Sequence, residues 1–389
     1  MELGNKNTHL TEKIRRFKKV LEKKGRKIKI YERSIVERNG AIFFLTREGY
    51  EKKLVLLYLN HEGNISKDFA SEEKGKIDES WNYKICPCNR ENADKLREHF
   101  PFTKPRVIGL TPAIGCGDRI GLTTPGHIRA VRKFGVFPVL AQQSIREMTR
   151  TARTPRDVLD DASWAVFQEG YREGFAADAD HLKTEEDVKS TFEAGFTMYT
   201  LDPSSFVDDT ADKDDLETLK EKFYRLPWLD LKCSKEEFLD MYLGKEFLIG
   251  EGFKVSFTEE SLIRAAVKYS AAIAHVSRLK RLLDGLFKDE KYDLEVSVDE
   301  TESPTRPLEH LFIALELKRL GINIQGLALR FVGRFEKAVD YIGDLKEFEE
   351  TFKRHVLIAK KFGPYKLSVH SGSDKFSIYP ILGRFAGDM

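Results

Sequence analysis

After residue 105 the chain changes rhythm. Short apolar runs alternate with longer stretches of helical periodicity, and this alternation constrains the fold more than any other feature. RVIGLTPAIG (106–115) reads as a strand and HIRAVRKFG (127–135) as a helix. FPVLAQQS (137–144) precedes a helix over 154–170, with Thr154 as its N-cap, Pro155 at its first position and Gly170 just past its end. The pattern recurs in GFAADADHLK (174–183) with EEDVKSTFEAG (185–195), and in TMYTLDPSSF (197–206). A long helix over 261–287 leads to DLEVSVDETES (293–303), a helix over 305–321 to IQGLALRFVGRF (324–335), and a helix over 344–363 to YKLSVHSGSD (365–374).

Alternating β and α means a parallel sheet covered by helices. Two closures compete, a doubly wound open sheet and a (β/α)8-type, TIM-like barrel. No G-x-G-x-x-G follows the first strand, which weakens the dinucleotide-binding form of the doubly wound sheet. We favour the barrel, although only seven strands can be counted and IYPILGRFAGDM is too short to supply another helix and strand. The barrel is therefore expected to be incomplete at the C-terminus.

Residues 1–104 read differently. Residues 8–25 form a basic amphipathic helix with a thin apolar face, a solvated surface helix rather than a membrane anchor. KIKIYERSIV, AIFFLTR and KLVLLYLN, between 27 and 59, make a small antiparallel β unit, with Asn39-Gly40 and Glu48-Gly49 as turns. Residues 60–104 are polar and mixed. The expected division is a 1–104 unit and a 105–389 barrel domain, with an acidic excursion at 207–260 inserted in the latter.

Lys+Arg number 65 and Asp+Glu 63, a net charge of +2, so the broad basic excess of a nucleic-acid binder is absent. No stretch reaches the length of a membrane span and the N-terminus lacks a signal-peptide core. The four cysteines, at 86, 88, 116 and 233, lack zinc-ribbon spacing and read as free thiols. A cytoplasmic protein follows. A homo-oligomer is left open.

In a barrel, chemistry lies at the C-terminal strand ends. There the sequence places Asp118 and Arg119, Gln142, Asp178 to His181, Asp202, Glu295 to Glu302, Arg330, and His370 with Asp374 and Lys375. Strand parity sharpens the choice, because side chains alternate faces. Leu294, Val296 and Val298 share one face, so Glu295, Ser297 and Asp299 share the other. Likewise Ser368 and His370, Asp178 and Asp180, and Arg330 point inward. Unpaired buried charges are costly, so either a metal or interior salt bridges, such as Arg330 with Glu295, must accompany them. His181, His370 and one carboxylate suit Mn, Fe, Co, Ni or Zn, and the remaining carboxylates suit acid and base roles. Gly121 to Gly126, before a helix, is either an anion cradle or an ordinary helix-entry turn.

The strings IGCGDRIGLTTPGHIRA, FPVLAQQSIREMTRT, FAADADHLKT, SVDETESPT, FVGRFEKAVDYIGDL and LSVHSGSDKFSIYP together resemble the tagaturonate epimerase family, over roughly residues 100–389. The resemblance implies a metal-dependent hexuronate epimerase that interconverts tagaturonate and fructuronate, with a small sugar acid as its partner. It places the acid/base carboxylate at Asp180, the metal on His181 and His370, and the second acid/base role at Glu295 or Glu302. Chains of this family run on past SGSDKFSIYP, so a truncated or short member is expected.

The two sugar acids differ at the carbon β to the ketone, where enolisation cannot invert the centre. Retro-aldol cleavage is the expected route. A metal on His181 and His370, helped by Asp299, would polarise the ketone, and Asp180 would take the hydroxyl proton. Glu295 or Glu302 would deliver the proton on the other side, with Arg119 or Arg330 clamping the substrate carboxylate. Asp118, Gln142 and Lys375 complete the expected substrate contacts. The alternatives are another metal-dependent sugar isomerase, a class II aldolase, and a non-catalytic sugar-acid binding protein.

Overall fold

The computed structural model describes residues 2–59, 65–250 and 253–387, with side chains from residue 10 onward. It divides into two compact units: Met1–Arg106 with Ala113–Ala177, and Val107–Pro112 with Asp178–Met389.

The first unit opens with helix α1 (Glu2–Lys23) and an antiparallel sheet of β1 (Lys29–Arg38), β2 (Ala41–Glu48), β3 (Glu51–Leu59), β4 (Glu73–Lys76) and β5 (Trp81–Pro87), in the order β1-β2-β3-β5-β4. The sheet therefore extends past the three runs expected from sequence, into the stretch read as polar. The overlooked signal is the alternation in Trp81, Tyr83 and Ile85. The last two join the apolar cluster of Ile14, Phe17 and Leu21 from α1 with Ile42, Phe44, Val55 and Leu57. The α1 helix is accordingly a packed helix, not merely a solvated one.

On the other sheet face Phe43, Leu45, Leu54 and Leu56 meet Ala93 and Leu96 of α2 (Arg90–His99). Both faces are covered, which is why β2 and β3 read as continuous apolar runs. Helices α3 (Thr124–Val131), α4 (Ile145–Arg150) and α5 (Pro155–Glu169), with strands β6 (Ala113–Gly115) and β7 (Phe137–Gln142), also belong to this unit. Trp164 and Phe167 of α5 sit in the same cluster as Phe43 and Leu96. The Thr154 capping box, Pro155 at the first turn and Gly170 at φ 55° end α5 as the sequence predicts. A Cβ at Gly170 would lie 2.3 Å from the Arg33 carbonyl oxygen, so the position excludes any side chain.

The second unit carries β8 (Ala176–Leu182, which begins in the first), α6 (Glu185–Ala194), β9 (Met198–Leu201), α10 (Glu259–Phe287), β12 (Asp293–Ser297), α11 (Pro307–Arg319), β13 (Gly326–Ala328), α12 (Leu345–Phe362), β14 (Lys366–Ser368) and α13 (Tyr379–Ala386). Between β9 and α10 lie α7 (Leu216–Tyr224), α8 (Trp228–Leu231), α9 (Lys235–Tyr242) and the hairpin β10 (Glu246–Gly250) with β11 (Phe253–Ser256). This insertion, the acidic excursion of the sequence, is anchored by Phe223, Trp228, Phe238 and Tyr242, which pack edge-on together and against Phe312 of α11.

Seven parallel strands follow one another in the sheet as β6-β7-β8-β9-β12-β13-β14, their order in the chain. A doubly wound sheet reverses its order at a switch point. This half-barrel order has none. A closed eight-stranded barrel is not seen: among the described residues, β14 is followed only by α13. The expected strand over 106–115 is also cut to Ala113–Gly115. Ile108 and Gly109 instead donate their N–H groups to Asp293 at 2.7 and 3.0 Å, at the start of β12. Among the described residues no helix is long and apolar enough to cross a membrane.

Candidate active site

β12 is buried on both faces, with Leu294 and Val296 toward one side and Glu295 toward the other. Glu295 is 2% exposed and is held from two strands and from His370 just past the second. Thr200 of β9 donates to its Oε1 at 3.3 Å, Ser368 of β14 to its Oε2, and His370 Nε2 lies 2.9 Å from Oε1. The single Thr200 hydroxyl hydrogen is shared with Asp178 Oδ1, at 2.9 Å from the hydroxyl oxygen. Gly326 of β13 makes the space: a Cβ there would be 2.3 Å from Glu295 Oε2. The Glu295–Arg330 salt bridge, the alternative to a metal, is not formed among the described residues.

At the end of β8, strict alternation would send Asp180 and His181 to opposite faces. The register shifts between Ala179 and Leu182, and His181 adopts φ 56°, the left-handed region a β-carbon disfavours. The irregularity brings the two side chains together, with His181 Nδ1 at 2.9 Å from Asp180 Oδ1. His181 Nε2 is 3.7 Å from Asp299 Oδ1 and 3.9 Å from Glu300 Oε1. The His181 and His370 rings stack at 5.1 Å, and His370 Nδ1 is 3.4 Å from Asp299 Oδ2. Ser297 donates to Asp299.

The surrounding carboxylates set the charge. Burial works against a charged His181, but the Asp180 hydrogen bond and charge prevail and push its pKa up to about 9. Burial likewise opposes charge on His370, and Asp299 and Glu295 overcome it and raise the ring well above the usual histidine range. Asp299 and Asp180 are lowered despite burial, each by a histidine partner. A site this rich in carboxylate draws positive charge. Ligand atoms of His181, Asp299 and His370 lie within 4.8 Å of one another, and those of His181, Asp202 and Glu300 form a second such group. Two imidazoles with one carboxylate fit a divalent transition metal. Asp180 and Glu295 each hold one ring, as outer carboxylates do around metal-ligating histidines.

Other expected positions land elsewhere. Glu302 is exposed, and its N–H donates to Asp209 at 3.2 Å. Lys375 is fully buried and donates to the carbonyls of Glu336, Val339 and Ser373 at 2.7, 2.6 and 2.9 Å. All three ammonium hydrogens are engaged by main chain in this structure. Arg330 keeps a buried Nε without a hydrogen-bond partner among the described residues.

Asp118, Arg119 and Gln142 belong to the first unit. Asp118 accepts from the N–H groups of Ile120, Thr123 and Thr124 and from the Thr124 hydroxyl. Those bonds outweigh burial and lower its carboxyl to about 2. The carboxylate organises its own loop and is itself the anion at the α3 entry. Arg119 pairs with Glu147, and Gln142, at the end of β7, lies over Gly115. Sequence reasoning missed the part of Lys183, whose Nζ is 3.1 Å from Asp202 and 3.3 Å from Glu300. Its only signal was its place two residues after His181.

The family described as UxaE, tagaturonate epimerase, matches residues 31–388. The chain belongs to the tagaturonate epimerase family. As a member it is an isomerase. The epimerase is 46% identical over 368 residues to the tagaturonate/fructuronate epimerase of Thermotoga maritima, a match covering 94% of this chain and 73% of that protein. Two solved structures of the fructuronate-tagaturonate epimerase UxaE of Cohnella laeviribosi, native and with one glycerol, resemble it with TM-scores of 0.84 and 38% identity. They cover 93% and 92% of this epimerase, and 71% and 70% of their own chains are matched.

Proposed function

We propose that this chain interconverts D-tagaturonate and D-fructuronate with a divalent transition metal held by His181, Asp299 and His370. The observation that carries the reading is the convergence of those three side chains within 4.8 Å, flanked by Asp180 and Glu295. Bound there, the ion supplies a Lewis acid that polarises the substrate ketone. Asp180 takes the proton of the hydroxyl on the carbon to be inverted. The C–C bond between that carbon and its ketone-side neighbour breaks, giving an aldehyde and an enediolate. The aldehyde turns over and the same bond re-forms on its other face. Glu295 handles the proton on that side, with exposed Glu302 as the alternative. Arg330, whose Nε lacks a partner among the described residues, supplies the clamp for the substrate carboxylate. The four free thiols accord with a cytoplasmic setting.

The test is an epimerase assay on tagaturonate after chelation and re-addition of Mn, Fe, Co, Ni or Zn. Activity should vanish and return with one of these metals. Full activity after verified metal removal would overturn the metal assignment. Solvent deuterium at the inverted carbon would overturn the cleavage route.

A further inference from the structure

Two ligand groups overlap at His181. Asp299 and His370 complete one, Asp202 and Glu300 the other. Only one ring nitrogen can serve either, because Nδ1 is engaged by Asp180 at 2.9 Å. That remaining nitrogen, Nε2, is 3.7 Å from Asp299 and 3.9 Å from Glu300, so proximity does not choose between them.

Charge does. Lys183 Nζ lies 3.1 Å from Asp202 Oδ2, 3.3 Å from Glu300 Oε2 and 3.2 Å from Ser204 Oγ. Asp202 is 2% exposed, a depth at which a carboxylate without a cation is strongly penalised. Its other oxygen accepts the Ser204 N–H at 2.9 Å. Among the described residues, Asp299 forms no ion pair with a lysine or arginine, only with the two histidines.

Resting on the metal reading above, we propose that Lys183 decides which of the two overlapping groups receives the divalent ion. Its ammonium fills the Asp202–Glu300 side as a built-in cation, repels a second positive ion there, and directs the metal to His181, Asp299 and His370. Lys183 is thus a positioning residue. Its side chain is 43% exposed, so a neutral replacement of similar length removes charge without opening a core cavity.

The test is Co²⁺ binding to chelated full-length protein, followed by calorimetry and by the visible Co²⁺ spectrum. Wild type should bind one Co²⁺. His370→Ala removes a ligand outright and should weaken binding by more than about 100-fold, the upper range for losing an outer-shell partner. Lys183→Met combined with His370→Ala should recover affinity to within about tenfold of wild type, with an altered spectrum, because Asp202 and Glu300 lose the ammonium that neutralises them. Adding Asp202→Asn should abolish that recovery, and Lys183→Arg should behave as wild type. Equal loss in H370A and in K183M/H370A would overturn the proposal, with Lys183→Gln carrying the same comparison if the methionine variant folds poorly. Failure of the metal reading looks different: wild type itself would bind no Co²⁺, overturning both.

Discussion

His370 Nε2 lies 2.9 Å from Glu295 Oε1, joining residues 75 positions apart, one in β12 and one two residues past the end of β14, with β13 between those strands in the sheet. The pair fixes the imidazole from behind while its other nitrogen faces Asp299 at 3.4 Å. Glu295 therefore has two roles to separate, holding the ring and handling a proton. Glu295→Gln keeps the shape and removes the charge. If Glu295 carries the proton, kcat should fall by about 100-fold or more with metal content intact. If it only orients His370, metal affinity should fall about 10- to 100-fold and added metal should restore turnover. Unchanged kcat and unchanged metal affinity would contradict both.

Gly326→Ala tests the same carboxylate from the other side. The new Cβ would stand 2.3 Å from Glu295 Oε2, so the carboxylate must leave its bonds with Ser368 and His370. Overpacking of this kind costs about 1–3 kcal/mol. Activity should drop at least about tenfold, beyond any loss of folded protein at the assay temperature. Wild-type turnover in a folded Gly326→Ala variant would show that Glu295 need not sit where it does.

Lys375→Met separates a structural lysine from a substrate contact. Three main-chain carbonyls lose the buried ammonium that bridges them, each hydrogen bond to a charged donor contributing about 1.5–3 kcal/mol. Thermal unfolding should move down by several degrees while the KM for tagaturonate, measured well below the transition, stays within about twofold of wild type. A raised KM with unchanged melting would restore the substrate role.

The buried pair His310 and His355 gives stability a pH dependence. Their Nδ1 atoms are 3.0 Å apart, His310 Nε2 accepts from the Tyr365 hydroxyl at 2.7 Å, and His355 donates to the Thr305 carbonyl. Each ring is thus satisfied as a neutral tautomer. Burial lowers both, His355 to about 3. The unfolded chain takes up protons first as pH falls. The pair's contribution is whole above about 6.5 and is lost progressively toward about 3. Urea midpoints should decline more steeply between pH 7 and pH 4 for wild type than for His355→Gln. Parallel curves would count against this assignment.

Local periodicity made much of the candidate site legible. Period-two alternation put Glu295 with Asp299, and Ser368 with His370, on shared faces, and all four meet in one hydrogen-bonded cluster. Thr154, Pro155 and Gly170 marked the ends of α5 because caps are read from side chains a few residues apart. The strand–helix alternation announced a parallel sheet.

What alternation could not supply is a departure from itself. His181 reaches Asp180 through a left-handed residue and a register shift, a strained arrangement that the surrounding tertiary contacts must hold. Nor could sequence tell a waiting charge from an engaged one. Asp118 and Lys375 stand at strand ends like their neighbours, yet one is engaged by its own loop and the other by three carbonyls. Residue type and spacing, which are local, determined the elements and the faces. The partners of each polar group come from distant parts of the chain, so only the tertiary structure decided which charges remain for chemistry.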